Sequence, residues 1–279
     1  MERRFIRAND LELSYLVAGQ GDAMVLVHGW PTHSHLWRHQ IPVLAEHFRV
    51  LALDLPGFGD SDKPTDVRYS LDLFVDAFSG FLDALGLKDV TLVCHDIGGP
   101  IALLWAVRHA ERLSRLVVMD TTPYPDLPLL IQLLLSAARL PGVGRLLVSR
   151  LGLRLLFHVG TARRGVVTDE LVAAYDRPFA DNPAARKTLL RILAQMDPRE
   201  MDEIANNLGR IAVPTLILWG EKDPSAPLSV ARRLQADIPG AVLKTVPNCG
   251  HFLSEDCPDD VNQALLEFLT SQQTGFESE

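Results

Sequence analysis

The feature that most constrains this fold is the octapeptide at residues 92–99, where a short apolar run turns abruptly into a helical pattern. It reads Leu-Val-Cys-His-Asp-Ile-Gly-Gly, with a small residue two positions before and two positions after Asp96. This spacing is typical of a sharp strand-to-helix turn that exposes its central side chain above a parallel sheet. An aspartate after a strand is also a common helix N-cap, so the rest of the chain must decide between the two interpretations.

Continuous apolar runs, as expected of strands buried on both faces of a parallel sheet, recur along the chain. Each is followed by a helical pattern, and an alternating run at residues 11–17 predicts an antiparallel edge strand. We therefore predict an α/β fold with a doubly wound, mostly parallel sheet. The buried strands are predicted at residues 24–27, 50–53, 90–93, 116–119, 215–219 and 241–246, and the helices at residues 36–47, 70–85, 98–109, 227–237 and 258–270.

One interval between predicted strands is far longer than the others. More than ninety leucine-rich residues with no strand pattern separate the strand ending at residue 119 from the one opening near residue 213. Because a structureless connection of that length is implausible in a compact domain, it predicts an inserted helical cap. We place the cap at residues 125–207, the α/β core at residues 1–124 and 208–270, and a flexible tail at residues 271–279.

Composition narrows the possible partners. The 279 residues are 47% hydrophobic, enough for a sizeable core, and the formal net charge of −8 argues against nucleic acid or an anionic membrane. The most apolar zone, residues 127–157, contains glutamine, arginine, proline and glycine and predicts no bilayer span. We expect a small apolar molecule as partner and either a monomer or a homodimer.

Cysteine usage and the N-terminus bear on the compartment. Cys94, Cys249 and Cys257 cannot all pair and show no zinc-site spacing. The first residues include arginines but no apolar signal core. These features favour a reduced, cytoplasmic protein, and we predict neither a metal nor a cofactor.

The identity of residue 96 indicates a particular chemistry. A serine that attacks a saturated carbon forms an ether, which water does not easily cleave. A carboxylate that attacks the same carbon forms an ester, whose carbonyl stays on the protein and can be hydrolysed. Asp96 therefore indicates hydrolysis at an sp³ carbon that bears a leaving group, such as an epoxide or an alkyl halide.

Four motifs resemble those of one group of proteins, the epoxide hydrolases and haloalkane dehalogenases of the α/β-hydrolase fold. The resemblance extends from about residue 11 to residue 269 and implies an Asp-nucleophile hydrolase with a cap. The motifs are His-Gly-Trp-Pro at residues 28–31, Asp-Leu-Pro-Gly-Phe-Gly-Asp-Ser at 54–61, Cys-His-Asp-Ile-Gly-Gly at 94–99 and Asn-Cys-Gly-His-Phe at 248–252.

The motif order assigns roles around Asp96. His251, in a glycine-containing loop after the last strand, would activate the water that hydrolyses the ester. Asp223 is the preferred acid to orient His251, by the order nucleophile, acid, histidine, and Asp120 after the previous strand is the alternative. The backbone N–H groups of Trp30 and Ile97 are the predicted oxyanion hole.

The leaving group is harder to predict. The resemblance implies two cap tyrosines for epoxide opening, and this chain offers Tyr175, with Tyr124 at the cap root and His158 midway. For halide release it implies a tryptophan after the nucleophile and often an asparagine after His-Gly, where this chain has Ile97 and Trp30. We therefore predict an epoxide hydrolase, with haloalkane dehalogenase as the alternative.

Two other functions stay open at this stage. The leucine- and valine-rich cap predicts a dry pocket for an apolar substrate, which a non-catalytic ligand-binding receptor could also use. A serine esterase is disfavoured because neither Ser79 nor Ser149 lies in a strand-to-helix turn of the required spacing.

Overall fold

The computed structural model describes residues 1–180 and 182–270, and its centre is one eight-stranded sheet. The strands are β1 (Glu2–Ala8), β2 (Leu11–Ala18), β3 (Ala23–Val27), β4 (Arg49–Leu53), β5 (Val90–His95), β6 (Leu113–Met119), β7 (Thr215–Gly220) and β8 (Val242–Val246). Their spatial order is β1-β2-β4-β3-β5-β6-β7-β8. The first two strands are antiparallel, and β3 to β8 are mutually parallel. The predicted fold class is confirmed.

Helices follow most of the strands. They are α1 (Gln40–Leu44), α2 (Leu71–Ala84), α3 (Gly98–Arg108), α4 (Leu129–Ala138), α5 (Pro141–Leu147), α6 (Arg150–Gly160), α7 (Asp169–Asp176), α8 (Pro183–Gln195), α9 (Asp202–Asn207), α10 (Leu228–Asp237), α11 (Leu253–Asp256) and α12 (Pro258–Thr270). Short 3₁₀ turns occupy Ser34–Trp37, Ala110–Arg112, Pro198–Met201 and Leu208–Arg210.

The central strands are mostly apolar because both sheet faces are covered. Successive residues of β3 point to opposite faces, so Val25 and Val27 join one buried cluster while Met24 and Leu26 join the other. All four side chains are fully buried, and each such burial contributes about 1.5–3 kcal/mol. This two-sided burial holds the carboxyl ends of the parallel strands in fixed positions.

Two local predictions differ from the structure. Strand β1 was not predicted, because its sequence Glu-Arg-Arg-Phe-Ile-Arg-Ala is largely exposed at the sheet edge and has no apolar alternation. The helix predicted at residues 36–47 is instead a 3₁₀ turn followed by α1. Pro42 has no N–H to donate to the Arg38 carbonyl, so one continuous helix loses a bond there.

The long interval between β6 and β7 holds α4 to α9, and no strand is found among its described residues. Its side chains are continuous with the sheet: Leu189 and Ile192 belong to the same buried cluster as Leu55 and Phe58 of the loop after β4. The division into core and cap at residues 125 and 207 stays a prediction. The predicted tail at residues 271–279 lies outside the described residues.

The helices are short compared with the length of a bilayer span. No single helix among residues 1–180 and 182–270 is long and apolar enough to cross a membrane. Helices α4 and α5 reach that threshold only together, and their axes are bent by 112°.

Candidate active site

Asp96 lies in a strained turn between β5 and α3. Its φ of 53° is in the left-handed region that side chains other than glycine rarely adopt. The segment after β6 stabilises the turn, because Thr121 Oγ1 donates a 2.6 Å hydrogen bond to the Asp96 carbonyl. A Cβ at Gly98 would lie 2.5 Å from the His28 carbonyl oxygen, so only glycine fits there. The sequence spacing and the close approach of β3 together expose the Asp96 side chain.

The Asp96 carboxylate is held at both of its oxygens. The Trp30 N–H donates to Oδ1 over 2.7 Å, and the Ile97 N–H also donates to the carboxylate. The other oxygen, Oδ2, lies 3.2 Å from Nε2 of His251. The Trp30 N–H thus holds one carboxylate oxygen and the histidine faces the other, while the Ile97 N–H, the second donor predicted for an oxyanion hole, also contacts the carboxylate.

The turn that carries Trp30 is fixed by buried polar groups. The Leu55 N–H donates to Nε2 of His28 over 3.0 Å, and the Ser34 N–H donates to Oδ1 of Asp54 over 2.7 Å. His28 and Asp54 are fully buried. These side chains position the turn rather than line the cavity described below.

His251 joins Asp96 to an acid on the neighbouring loop. Its Nδ1–H donates to Oδ2 of Asp223 over 2.8 Å. The second oxygen of Asp223 accepts from the N–H groups of Ser225 and Ala226, at 2.6 and 3.0 Å. Asp223 is therefore oriented by its own loop after β7, and all three side chains are almost completely buried or enclosed.

The charges of Asp96 and Asp223 affect the pKa of His251, and the charge of His251 affects the pKa of Asp96. Burial is the largest influence on His251 and lowers its pKa, but the charges and hydrogen bonds of Asp223 and Asp96 outweigh it and hold the pKa well above its usual range. For Asp96, burial raises the pKa, but the His251 hydrogen bond and charge, with the Ile97 N–H, bring it below its ordinary value. Asp96 and Asp223 together therefore favour the imidazolium form of His251.

Asp120, the alternative acid, has a different setting at the end of β6. Its Oδ1 accepts from the Gly220 N–H over 3.0 Å, and its Oδ2 has no partner among the described residues. Burial, then the charge of Asp223, raises the pKa of Asp120 well above its usual range. It makes no hydrogen bond to His251 in the described part of the chain, so the structure brings Asp223, and not Asp120, against the histidine.

Asp96 and His251 form the floor of a cavity of about 310 Å³ between the sheet and the helices α4 to α6. Apart from these two residues, the polar side chains that line it are Trp30, Thr122 and Ser225. The complete lining is Trp30, Pro31, Asp96, Ile97, Pro100, Thr122, Leu130, Ile131, Leu134, Leu135, Val143, Leu146, Leu147, Gly152, Leu155, Leu156, Val159, Gly160, Leu193, Met196, Met201, Ser225, His251 and Phe252.

The three candidate leaving-group residues do not reach this cavity, which corrects the sequence prediction. Tyr175 is fully buried, and its hydroxyl donates to the carboxylate of Glu255. Tyr124 is buried and donates to Oδ2 of Asp237 over 2.7 Å. His158 is exposed on α6 and does not line the cavity. Helix packing turns these side chains away from Asp96, which sequence spacing alone could not show.

Polar residues that the sequence did not single out lie closer to the chemistry. The hydroxyls of Thr122 and Ser225 line the cavity and make no hydrogen bond to other described residues. Their positions just after β6 and β7, at the carboxyl edge of the sheet, were the available signal. Tyr175 and Glu255 instead form a buried polar cluster with Arg38, whose guanidinium lies 2.6 Å from Glu255 Oε2.

The cysteines also depart from expectation, because Cys249 and Cys257 form a disulfide that encloses the His251 loop. The prediction of fully reduced cysteines is therefore wrong for this pair, while Cys94 is free and buried. Their spacing of eight residues resembles no zinc motif, and the proximity arises only when α11 folds back.

Two groups of side chains place metal-ligating atoms within 4.8 Å of one another. The first comprises His95, Asp120 and His251, but both ring nitrogens of His251 already face carboxylates. The second comprises the two disulfide-bonded cysteines and Asp256, which accepts from three backbone N–H groups. In both groups some of these atoms are engaged in other interactions, while Nδ1 of His95 and Oδ2 of Asp120 have no partner among the described residues.

Residues 22–258 match the protein-family model described as "alpha/beta hydrolase fold". The chain belongs to this family. The order of its parts agrees with the assignment, because the aspartate turn, the acid loop and the histidine loop follow β5, β7 and β8 of one mostly parallel sheet.

Individual relatives in this hydrolase family cover nearly the whole chain. Haloalkane dehalogenase 2 of Mycobacterium tuberculosis is 32% identical, covering 95% of this chain and 94% of the relative. Cis-3-alkyl-4-alkyloxetan-2-one decarboxylase of Shewanella oneidensis is 31% identical, covering 98% and 90%. The structure of epoxide hydrolase CorEH superposes with a TM-score of 0.85 over 97% of this chain and 99% of the other; at 24% identity it shows the shared fold.

Proposed function

We propose that this protein catalyses nucleophilic substitution at a saturated carbon of an apolar substrate, through an ester on Asp96. The observation that carries the proposal is the carboxylate itself. It lies at a strained turn and lines the cavity, with the Trp30 N–H on one oxygen and His251 at the other.

The first step uses Oδ2 of Asp96. This oxygen attacks the carbon, a new C–O bond forms, and the bond to the leaving group breaks with its electron pair. Oδ1 becomes the carbonyl oxygen of the ester and keeps the Trp30 N–H as its donor, with the Ile97 N–H as the proposed second donor. These donors then stabilise the negative charge that develops on Oδ1 when water attacks the ester carbonyl.

The second step depends on the charge that the first step removes. In the resting site, two carboxylates keep His251 protonated. Esterification makes Asp96 neutral, so one of those carboxylates no longer stabilises the proton and the pKa of His251 falls. The histidine can then give its proton to the departing oxygen, or to solvent when the leaving group is a halide, and act as the base for water, with Asp223 orienting Nδ1. Water supplies the hydroxyl that regenerates the Asp96 carboxylate and releases the alcohol.

The cavity is more suited to an oxygen leaving group in a strained ring than to a halide. Halide release requires N–H donors, but Ile97 has no side-chain donor and the Trp30 indole donates instead to the Leu189 carbonyl over 3.0 Å. An epoxide oxygen could accept from the Thr122 and Ser225 hydroxyls, which line the cavity. We therefore retain an epoxide hydrolase as the preferred assignment, with these hydroxyls in place of Tyr175.

A second candidate function is the decarboxylation of an oxetan-2-one. It is favoured by the absence of a phenol or a free side-chain N–H among the described cavity residues other than His251. An oxetan-2-one opened at its sp³ ring carbon releases a carboxylate, which is stable without a proton donor. If the carboxylate then leaves as CO₂, the electrons of the C–C bond that held it form the alkene and expel the Asp96 carboxylate, so no water is needed. The Shewanella oneidensis relative is named for decarboxylation of this ring class.

Intact-protein mass spectrometry of a His251→Gln variant tests these assignments, because the variant cannot activate water. The probes are a 1,2-epoxyalkane, a 1-bromoalkane of the same length and a cis-3,4-dialkyloxetan-2-one. An epoxide adds its whole mass to Asp96, whereas a bromoalkane adds only its alkyl group. An oxetanone substrate would instead give continued alkene release from His251→Gln.

The matched control is Asp96→Ala/His251→Gln, which should form no adduct and no alkene. An alkyl adduct from the bromoalkane alone would assign the protein as a haloalkane dehalogenase. Binding of all probes without adduct or turnover, in both the variant and the wild type, would contradict the proposal and favour a ligand-binding receptor.

A further inference from the structure

The helices over the cavity expose an unusual amount of apolar surface. Of the twelve large hydrophobic side chains exposed in the described part of the chain, nine lie at residues 129–159, on or next to α4, α5 and α6. Leu129 and Leu133 of α4 are 70% and 57% exposed, and Leu151 of α6 is 57% exposed. Soluble monomers rarely expose contiguous apolar patches of this kind unless the patch contacts a partner.

Helix α6 shows that this exposure is organised. Leu151, Leu155 and Val159 recur every four residues and are all exposed, while Leu153 and Phe157 pack inward. At 100° per residue, the three exposed side chains form one apolar stripe that faces solvent. Arg150 lies at the edge of the stripe, so the outer face combines leucine with a cation.

The charge of this segment has one sign. Residues 127–168 contain six arginines and no acidic residue, in a chain whose net charge is −8. Arg154 and Arg163 pair with Asp169 and Asp260. Arg145 and Arg150 are exposed and make no hydrogen bond or ion pair within residues 1–180 and 182–270. The positive charge is concentrated on this segment, so the net charge of −8 does not exclude an anionic partner for it.

The exposed surface is continuous with the cavity. Leu130, Val143, Leu146, Leu155 and Val159 are exposed and also line the cavity above Asp96. The cavity therefore opens through the apolar face. Unpaired arginines beside exposed leucines match the headgroups and acyl chains of an anionic lipid layer.

We propose that the face formed by residues 129–159 is a docking surface for a lipid bilayer with anionic headgroups, on which α4, α5 and α6 lie flat with the cavity mouth towards the lipid. The 112° bend between α4 and α5 fits helices that lie in the interface and do not cross it. The proposal does not depend on which leaving group the active site accepts.

Flotation of the full chain with two kinds of vesicle tests this surface. One vesicle is phosphatidylcholine alone, and the other contains about one third phosphatidylglycerol. We expect binding to the anionic vesicle, weakened at 0.5 M NaCl because salt screens the arginines. Arg145→Gln/Arg150→Gln should lower the partition coefficient about thirtyfold, from about fivefold for each charge near an anionic surface.

A second variant tests the apolar contribution. Leu133→Gln/Leu151→Gln changes two exposed side chains that do not line the cavity, and it should also abolish flotation. The matched controls are Arg232→Gln and Val242→Gln, which change an exposed arginine and an exposed valine away from this face and should bind like the wild type.

Three results would overturn the proposal. The first is a wild-type protein that floats with neither vesicle at low salt. The second is flotation that neither double variant changes. The third is a dimer in sedimentation velocity that Leu133→Gln/Leu151→Gln dissociates while no vesicle binds, which would assign the face to a second copy of the chain. Circular dichroism and thermal melts of each variant establish that it is folded.

Discussion

The pairing of Asp223 with His251 gives the sharpest test of the proposed chemistry. In Asp223→Asn, the amide can present its N–H₂ group to Nδ1 of the histidine, 2.8 Å away in the wild type. The histidine then carries its proton on Nε2, the atom that must accept a proton from water. Loss of the charge-assisted hydrogen bond alone accounts for about 1.5–3 kcal/mol.

Together with the wrong tautomer, the expected loss approaches the factor of about 10⁴ seen when a catalytic triad loses its acid, which corresponds to about 5.4 kcal/mol. The loss should fall on ester hydrolysis and leave alkylation nearly unchanged. The matched control is Asp120→Asn, which should cost no more than a few fold. Burial favours the neutral form of Asp120, and asparagine can still accept from the Gly220 N–H.

Rapid-quench single turnovers followed by intact mass measure the two steps separately. Asp223→Asn should accumulate the Asp96 ester, and Asp120→Asn should turn it over at close to the wild-type rate. If Asp120→Asn accumulated the ester and Asp223→Asn did not, the acid would be Asp120, and the geometry around His251 would have been misinterpreted.

Three further predictions concern stability. Folding raises the pKa of Asp120, so the folded state binds this proton more tightly than the unfolded state. The unfolding free energy of the wild type should therefore fall as pH rises from the unfolded pKa near 3.9 to the folded pKa. The advantage of Asp120→Asn in urea melts should therefore grow by up to about 1.4 kcal/mol per pH unit, and a constant difference would contradict it. Tyr175→Phe leaves the Glu255 carboxylate one donor short, so it should lower the unfolding free energy by about 1–3 kcal/mol without slowing alkylation; a slowed alkylation step would restore Tyr175 to the chemistry. Reducing the bond between Cys249 and Cys257 should destabilise the fold by about 2–3 kcal/mol, the loop-closure value for so short a loop, and an unchanged melt under dithiothreitol would show that the bond does not form.

The parts of the fold that were predicted correctly are those that local sequence determines. A strand such as β5 is buried on both faces, so its sequence Val-Thr-Leu-Val-Cys-His is mostly apolar, and the run is visible without knowing its neighbours. The turn at Asp96 is visible for the same reason, since a Cβ at Gly98 would lie 2.5 Å from the His28 carbonyl oxygen and only glycine fits there. Edge strand β1 has no such requirement, because its partner is β2 alone and solvent covers its other side.

Contacts between distant segments could not be predicted from local sequence. Tyr175 and Glu255 are eighty residues apart in the chain, and only tertiary packing brings the phenol on α7 to the carboxylate on α11. The spacing of tyrosines in the inserted helices is compatible with either an inward or an outward orientation. The pairing of Cys249 with Cys257 likewise depends on how α11 returns beside the histidine loop.

This difference explains why the nucleophile is easier to identify than the leaving group. Asp96, Asp223 and His251 all follow strands of one parallel sheet, so the order of strands places them together whatever the inserted helices do. The leaving group is received by side chains from loops and inserted helices, whose orientation depends on packing that spans the whole chain. The cavity is lined mainly by leucine, valine and isoleucine, and Thr122 and Ser225 are its hydroxyl-bearing residues. Under the proposed chemistry we therefore expect ring strain and apolar fit to determine the choice of substrate more than stabilisation of a departing anion.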